Sequence, residues 1–301
     1  MNIKNLRIGY VGSTKVTKKI LEKSSVSPEI VISFDESHED KISGFARYPD
    51  YGENWFTVKS INSKSSYNII KSNSLDVLLV MGWQELLEPK ILSIPKMGCI
   101  GRHLSLLPKR RGRAPVAWAL IHGLKETGVT LFWMDEGVDS GDIALQKRVN
   151  INHEDEASDI HEKMTNISAE MMDNIIAKIS SGEIPRKSQN EEEATYTHPR
   201  RPDMGLVDWT RSAAYLYNFI RGQTKPYPGA FTYHKMDRIR IWHASIEDST
   251  KIVERPGSVL SVKSRTENII VQAGEGILSL TIENEAGEFP INSGSVLGSP
   301  R

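Results

Sequence analysis

Short apolar runs alternate with stretches of helical period through the first half of this 301-residue chain, and that alternation limits its folds more than any other feature. Residues 6–11, 29–34 and 75–81 read as strands, the last of them (Leu75-Asp76-Val77-Leu78-Leu79-Val80-Met81) fully buried. After the first strand come Gly12-Ser13-Thr14 and a helix through Leu21, with Val16, Ile20 and Leu21 on one face and Ser13 or Thr14 as N-cap. Strands separated by helices imply a parallel sheet with crossover connections. The opening loop holds Gly9 and Gly12 but lacks the third glycine of a dinucleotide fingerprint, which makes it weak evidence for NAD or FAD.

Further strands are expected at 128–133 and 143–149, flanking a loop rich in glycine and aspartate. A long amphipathic helix follows over residues 157–180, with Ile160, Met164, Ile167, Met171, Ile175 and Ile179 as its core stripe and Ser181-Gly182 as its end. Residues 185–203 turn polar and read as a linker or strap, with Glu191-Glu192-Glu193 as a solvated surface. A helix at 210–220 and short strands at 230–233, 238–242, 257–262, 269–273 and 277–282 then indicate a small barrel or sandwich. The expected division is a catalytic domain over 1–190, a linker over 191–208 and a β-rich domain over 209–301.

The 38 basic and 38 acidic side chains balance, which argues against a chain that grips nucleic acid or anionic lipid over its whole surface. Cys99 is the one cysteine, so an intrachain disulfide and a cysteine-based metal site are excluded and a reducing, cytoplasmic compartment is expected. The first eight residues lack a long apolar run, no signal peptide is expected, and no stretch is apolar enough to span a membrane.

Two stretches could carry chemistry. Residues 98–115 place His103 after an apolar segment, followed by a loop with two prolines and the basic cluster Lys109, Arg110, Arg111 and Arg113. The cluster reads as a solvated face, an import-like patch or an anion site, the last because guanidinium forks and the backbone N–H groups around Gly112 both donate to phosphate. Residues 134–142 carry Asp135, Asp139 and Asp142 among glycines. They read either as turn caps or as the source of a carboxylate that pairs with His103 in a general acid–base unit. No calcium-loop pattern is present, and His153 and His161 do not have zinc spacing, so no metal is expected.

His103-Leu104-Ser105-Leu106-Leu107-Pro108, Arg111-Gly112-Arg113-Ala114-Pro115, Thr127-Gly128-Val129-Thr130 and Gly137-Val138-Asp139-Ser140-Gly141-Asp142 together resemble the formyltransferases that use 10-formyltetrahydrofolate. That family includes methionyl-tRNA, glycinamide ribonucleotide and sugar N-formyltransferases. The likeness extends through Trp209 and Pro226-Tyr227-Pro228-Gly229-Ala230-Phe231, and is weak over residues 35–70 and the last forty. It implies a Rossmann-like catalytic domain with a mostly parallel sheet, then a small C-terminal OB-like β-barrel. It also implies a primary amine attacking the folate formyl carbon through a tetrahedral intermediate. His103 and Asp142 fall on the family's catalytic histidine and aspartate, while Met81, Gly82, Gln84, Leu86, Leu87 and Asp139 match its pterin-holding region.

One position departs from the family. The asparagine expected two residues before the histidine is Gly101. Loss of one oxyanion donor costs about 2.7–4 kcal/mol in other enzymes. Either a backbone N–H or Arg102 substitutes, or the chain is impaired, or its chemistry has drifted, or the residue was introduced. The candidate acceptor-binding residues are Arg102, Ser105, Lys109, Arg110, Arg111, Gly112 and Arg113, with Trp83, Trp118 or Tyr227 available to stack on a base or sugar. From Gly205 to Arg301 there are eleven basic and ten acidic side chains, a poor balance for gripping tRNA. The expected acceptor is therefore a small amine such as a nucleotide-linked amino sugar. By analogy with other short barrels, a homodimer is possible.

Overall fold

The computed structural model describes residues 6–263, 268–284 and 291–299, so residues 1–5, part of the segment read above for a signal peptide, lie outside the described residues. The chain packs as two compact units. The first holds the residues up to Arg113, Thr127–Val149 and Glu162–Thr197; the second holds Ala114–Glu126, Asn150–His161 and His198 onward.

The first unit opens with β1 (Ile8–Val11), every residue of which is buried. Helix α1 (Lys15–Lys23) starts where the Thr14 side chain accepts from the Thr17 backbone, and it buries Ile20 and Leu21. Next come β2 (Ile30–Phe34), β3 (Trp55–Val58), α2 (Lys64–Ser72), β4 (Val77–Val80), the short α3 (Pro89–Leu92) and β5 (Gly98–His103). These five strands run parallel in the order β3-β2-β1-β4-β5. The chain winds outward from β1 to β3, then crosses back to β4, so strand order reverses between β1 and β4. The carboxyl ends of the strands at such a reversal form the usual ligand crevice of α/β sheets. β3 and α2 arise in a polar stretch with no clear period; long-range burial of Val58 and Ile70 against the sheet makes up for it.

Beyond β5 the chain forms β6 (Arg111–Gly112), α4 (Pro115–Ile121), β7 (Glu126–Trp133) and β8 (Ile143–Asn150). β7 runs antiparallel to β5, with Gly101 opposite Phe132 and His103 opposite Thr130, and β8 completes the seven-stranded sheet. Helix α5 (Ala157–Ser180) buries Ile160, Met164, Met171, Ile175 and Ile179, as its periodicity predicts, while Ile167 of the same stripe is only partly buried. β9 (Tyr196–Thr197) pairs with β6. Cys99 sits in the sheet core, where burial pushes its thiol up to about 12. A thiol reagent such as DTNB at pH 8 is therefore expected to label Cys99 only at the rate of unfolding; fast stoichiometric labelling of the native protein would contradict this burial.

The second unit is built on α6 (Ala213–Arg221), against which α4 packs. Its antiparallel sheet comprises β10 (Ala230–His234), β11 (Asp237–Asp248), β12 (Val259–Lys263), β13 (Asn268–Gln272) and β14 (Ile277–Asn284) in the order β10-β11-β14-β13-β12. Both edges are met by one segment near the C-terminus: Gly298 exchanges backbone hydrogen bonds with Tyr233, and Leu297 and Ser295 bond to Gly257 and Val259. Irregularities in β11 near His243 and Asp248 supply the curvature that such closure needs. Trp209, Leu216, Ile220, Ile239, Ile241, Leu278 and Leu280 fill its core. Among the described residues, no helix is long and apolar enough to cross a membrane.

Candidate active site

His103 ends β5 at the carboxyl edge of the sheet and is 6% exposed. Both ring nitrogens face oxygen. Nε2 lies 2.7 Å from the carbonyl of Arg110, and Nδ1 lies 3.4 Å from Oδ2 of Asp139. The short contact to a carbonyl assigns the hydrogen of a neutral ring to Nε2, which leaves the Nδ1 lone pair toward the carboxylate; the doubly protonated ring serves both oxygens. Asp139 Oδ2 also accepts from the Gly112 backbone N–H at 2.8 Å, and the residue has a left-handed backbone, φ 53°.

The carboxylate against the imidazole is thus Asp139, not Asp142 as the motif match implies. Asp142 uses its backbone carbonyl to accept from Trp133, and among the described residues its side chain pairs with none. Strand geometry explains the outcome, because Asp142 is tied to the mouth of β8 while Asp139 occupies the turn that overhangs β5. Asp135 caps this turn, accepting from Gly137 N and Ser140 Oγ at 3.0 and 2.8 Å.

The basic cluster divides. Arg111 is fully buried and spends its guanidinium on Glu191 (2.6 and 2.8 Å), Gln189 (2.9 and 3.2 Å) and the Tyr196 hydroxyl (3.1 Å), so it is not a free phosphate ligand. Ser105 is likewise enclosed, its hydroxyl donating to the Lys109 carbonyl at 2.6 Å. Lys109 is exposed, the Arg110 guanidinium has no partner among the described residues, and Arg113 donates to the Gln84 carbonyl at 3.1 Å. A Cβ on Gly112 (φ 96°) would meet the Thr197 carbonyl at 2.6 Å, so only glycine lets β6 approach β9.

The strap over residues 189–197 gave no functional signal in the sequence, yet it assembles the site. Gln189 Nε2 donates to the carbonyls of Asp139 and Gly141 (2.8 and 2.7 Å), while its Oε1 accepts from Arg111. Thr195 Oγ1 accepts from Arg110 N, holding the carbonyl that faces His103. Glu191 is exposed, as expected, and is also the counter-ion of a buried arginine. The Arg111 hydrogen bonds hold the Glu191 carboxyl below the usual range. A depressed folded pKa stabilises the fold above the unfolded value, about 4.3, and that contribution fades as pH falls through the folded value. Glu191→Gln is expected to lower the melting temperature at pH 7 and to flatten its decline below that value; an unchanged melting profile would contradict the pairing.

Of the donor-region residues, Met81 and Leu87 have buried side chains and offer only backbone, whereas Leu86 is 64% exposed. The loop that holds Gly82 and Gln84 is pinned by Glu85, which accepts from Ser60 and Ile61, and by Asn62, which donates to the Leu86 carbonyl. Trp83 stacks on Phe34 at 3.7 Å, and its buried Nε1 has no partner among the described residues. Arg102 leaves β5 on the face opposite Gly101 and His103. Its Nη1 donates to Ser168, its Nη2 lies 3.3 Å from where a Gly82 Cβ would be, and its buried Nε has no partner among the described residues. Burial brings its guanidinium down to about 10. Pointing that way, Arg102 does not stand in for the missing asparagine. Among the described residues no cluster of His, Cys, Asp and Glu could hold a metal.

Residues 16–176 match the family model of formyl transferase, and residues 200–297 match that of the formyl transferase C-terminal domain. This chain belongs to the formyl transferase family. The methionyl-tRNA formyltransferase of Caldanaerobacter subterraneus subsp. tengcongensis is 38% identical over 211 residues, 70% of this chain and 67% of the relative. Among solved structures, WlaRD, a sugar 3N-formyl transferase crystallised in the presence of dTDP and 5-N-formyl-THF, aligns with TM-score 0.66 at 15% identity over 93% of this chain and 98% of its own. HypX from Aquifex aeolicus in complex with tetrahydrofolic acid aligns with TM-score 0.65 at 15% identity, over 93% of this chain and 44% of its own. At that identity the structures share the fold. The protein is accordingly a one-carbon transferase with formyltetrahydrofolate as donor, built as an α/β catalytic unit plus an antiparallel β unit.

Proposed function

We propose that this formyltransferase moves the formyl group of 10-formyltetrahydrofolate to the primary amine of a small molecule, with a nucleotide-linked amino sugar as acceptor. The observation that carries this reading is the near-neutral C-terminal part, eleven basic against ten acidic side chains from Gly205 to Arg301. A tRNA-gripping surface gains affinity with each phosphate it neutralises, whereas a diphosphate needs only a few local cations. Lys109 and Arg110, whose guanidinium has no partner among the described residues, sit on the loop whose carbonyl meets His103 and are suited to that task. The likeness to WlaRD, solved with dTDP, supports the same class.

In the reaction a bond forms between the amine nitrogen and the formyl carbon, and the bond from that carbon to the folate nitrogen breaks. The amine loses a proton and the folate nitrogen gains one. Both proton transfers are assigned to His103, with the Asp139 carboxylate beside its Nδ1. The edge of the folate ring system would meet the backbone of the loop holding Gly82, Gln84 and Leu86. A reducing, cytoplasmic setting belongs to the same proposal.

A second reading, methionyl-tRNA as acceptor, is favoured by the 38% identity to a methionyl-tRNA formyltransferase and by the basic hairpin of Lys235, Arg238 and Arg240. Formyl transfer to dTDP-linked amino sugars and to charged initiator tRNA, measured side by side, separates the two. The small-acceptor proposal predicts a higher kcat/KM for an amino sugar, and a clear preference for tRNA would replace it with the second reading.

A further inference from the structure

The second unit contains a cavity of about 100 Å³ that lies outside the His103 machinery. Ala114, Ala117, Gly222, Pro228 and Tyr227 give it apolar walls beside the polar Gln223, and among the described residues Arg200 is the lining cation that has no carboxylate partner. The Arg200 guanidinium is fixed in place. It stacks on Trp118 at 4.8 Å, and Nη2 donates to the Met204 carbonyl (2.8 Å) and to Gln223 Oε1 (2.6 Å). Both acceptors are neutral. Nε and Nη1 make no hydrogen bond among the described residues, and burial lowers the guanidinium below its ordinary range. The neighbouring Arg201, by contrast, is paired with Asp203.

We propose that this cavity is a binding site for a small organic carboxylate. A half-buried guanidinium without a counter-ion favours an anion that shares its environment, and with Nη2 already spent the hydrogens left on Nε and Nη1 can each donate singly to a carboxylate oxygen. One guanidinium balances one negative charge. A phosphate dianion would leave charge and oxygen atoms against alanine and proline, whereas a short hydrocarbon body fits those walls. At about 30 Å³ per water, the space takes three waters or a ligand of roughly six non-hydrogen atoms. Tyr227, named above as a candidate stacking residue, lines this cavity, but His103, Asp139, Lys109 and Arg110 do not, so the site does not depend on which amine is formylated.

Isobutyrate, its neutral isostere isobutyramide and inorganic phosphate are suitable probes for the full chain. The Trp118 indole N–H, which donates to the His198 carbonyl under the Arg200 stack, is the NMR reporter. Isobutyrate is expected to shift it saturably, isobutyramide is not, and phosphate is expected to bind at least tenfold more weakly. Arg200→Gln should weaken isobutyrate at least tenfold. Gln223→Glu, which places an internal carboxylate at the Nη2 contact with little change in shape, should abolish binding even if Arg200→Gln fails to fold. Equal binding of acid and amide, no saturable shift with isobutyrate, tighter binding of phosphate, or isobutyrate affinity unchanged in Gln223→Glu would each overturn the proposal.

Discussion

His103→Gln is expected to lower kcat for formyl transfer by roughly 10²–10⁴, the usual contribution of a general acid–base group, while KM for the folate donor stays within a few-fold. Glutamine can still donate to the Arg110 carbonyl that His103 Nε2 faces at 2.7 Å, so the local fold has a reason to persist. It cannot carry a proton from the amine to the folate nitrogen. Asp139→Asn should follow in the same direction with a smaller loss, because it removes the charge 3.4 Å from Nδ1 and keeps the shape. Steady-state kinetics with either acceptor class suffices. If His103→Gln turns over within threefold of the parent at an unchanged melting temperature, the imidazole does not carry the transfer. If Asp142→Asn is silenced while Asp139→Asn is normal, the carboxylate assignment made from geometry is the part that fails.

Gly101→Asn, which restores the residue type the family motif has at that position, is expected to destabilise the protein by about 1–3 kcal/mol and not to raise turnover. The added Cβ would lie 2.9 Å from the Phe132 ring and 3.0 Å from Met134 Cγ, closer than van der Waals contact allows. Phe132 is opposite Gly101 in the antiparallel pair and is 4% exposed, so it has little freedom to yield. The space an asparagine Cβ would need is already taken by the side chains of Phe132 and Met134. Pairing the substitution with Phe132→Val should recover most of the stability. A gain of tenfold or more in turnover from Gly101→Asn alone, with no loss of melting temperature, would show that the packing argument is wrong and that the missing amide limits the enzyme.

Most of the catalytic unit was legible because its signals are local. The run from Leu75 to Met81 is apolar enough to be a buried strand by itself, and the methionine and isoleucine stripe of α5 repeats at helical spacing whatever it packs against. Trp55–Val58 and Lys64–Ser72 were not legible, since their order comes from neighbours far along the chain, such as the Ser33 hydroxyl that accepts from Trp55 Nε1. The same contrast runs through the site. His103 stands out from its loop context, whereas Gln189, Glu191 and Thr195 look like any polar linker until they meet Arg111, Asp139 and Arg110.

The amino-acid order by itself determined the α/β class, the β-rich C-terminal half, the formyltransferase membership and the histidine at the strand end, because period, motif spacing and residue type are properties of neighbouring positions. Only the tertiary structure decided that Asp139 is the carboxylate beside that histidine, that Arg111 is a buried strut and not a ligand for phosphate, and that Phe132 occupies the room beside Gly101. Each of those outcomes depends on which side chains from distant segments compete for one small volume, and short-range sequence pattern does not encode the winner.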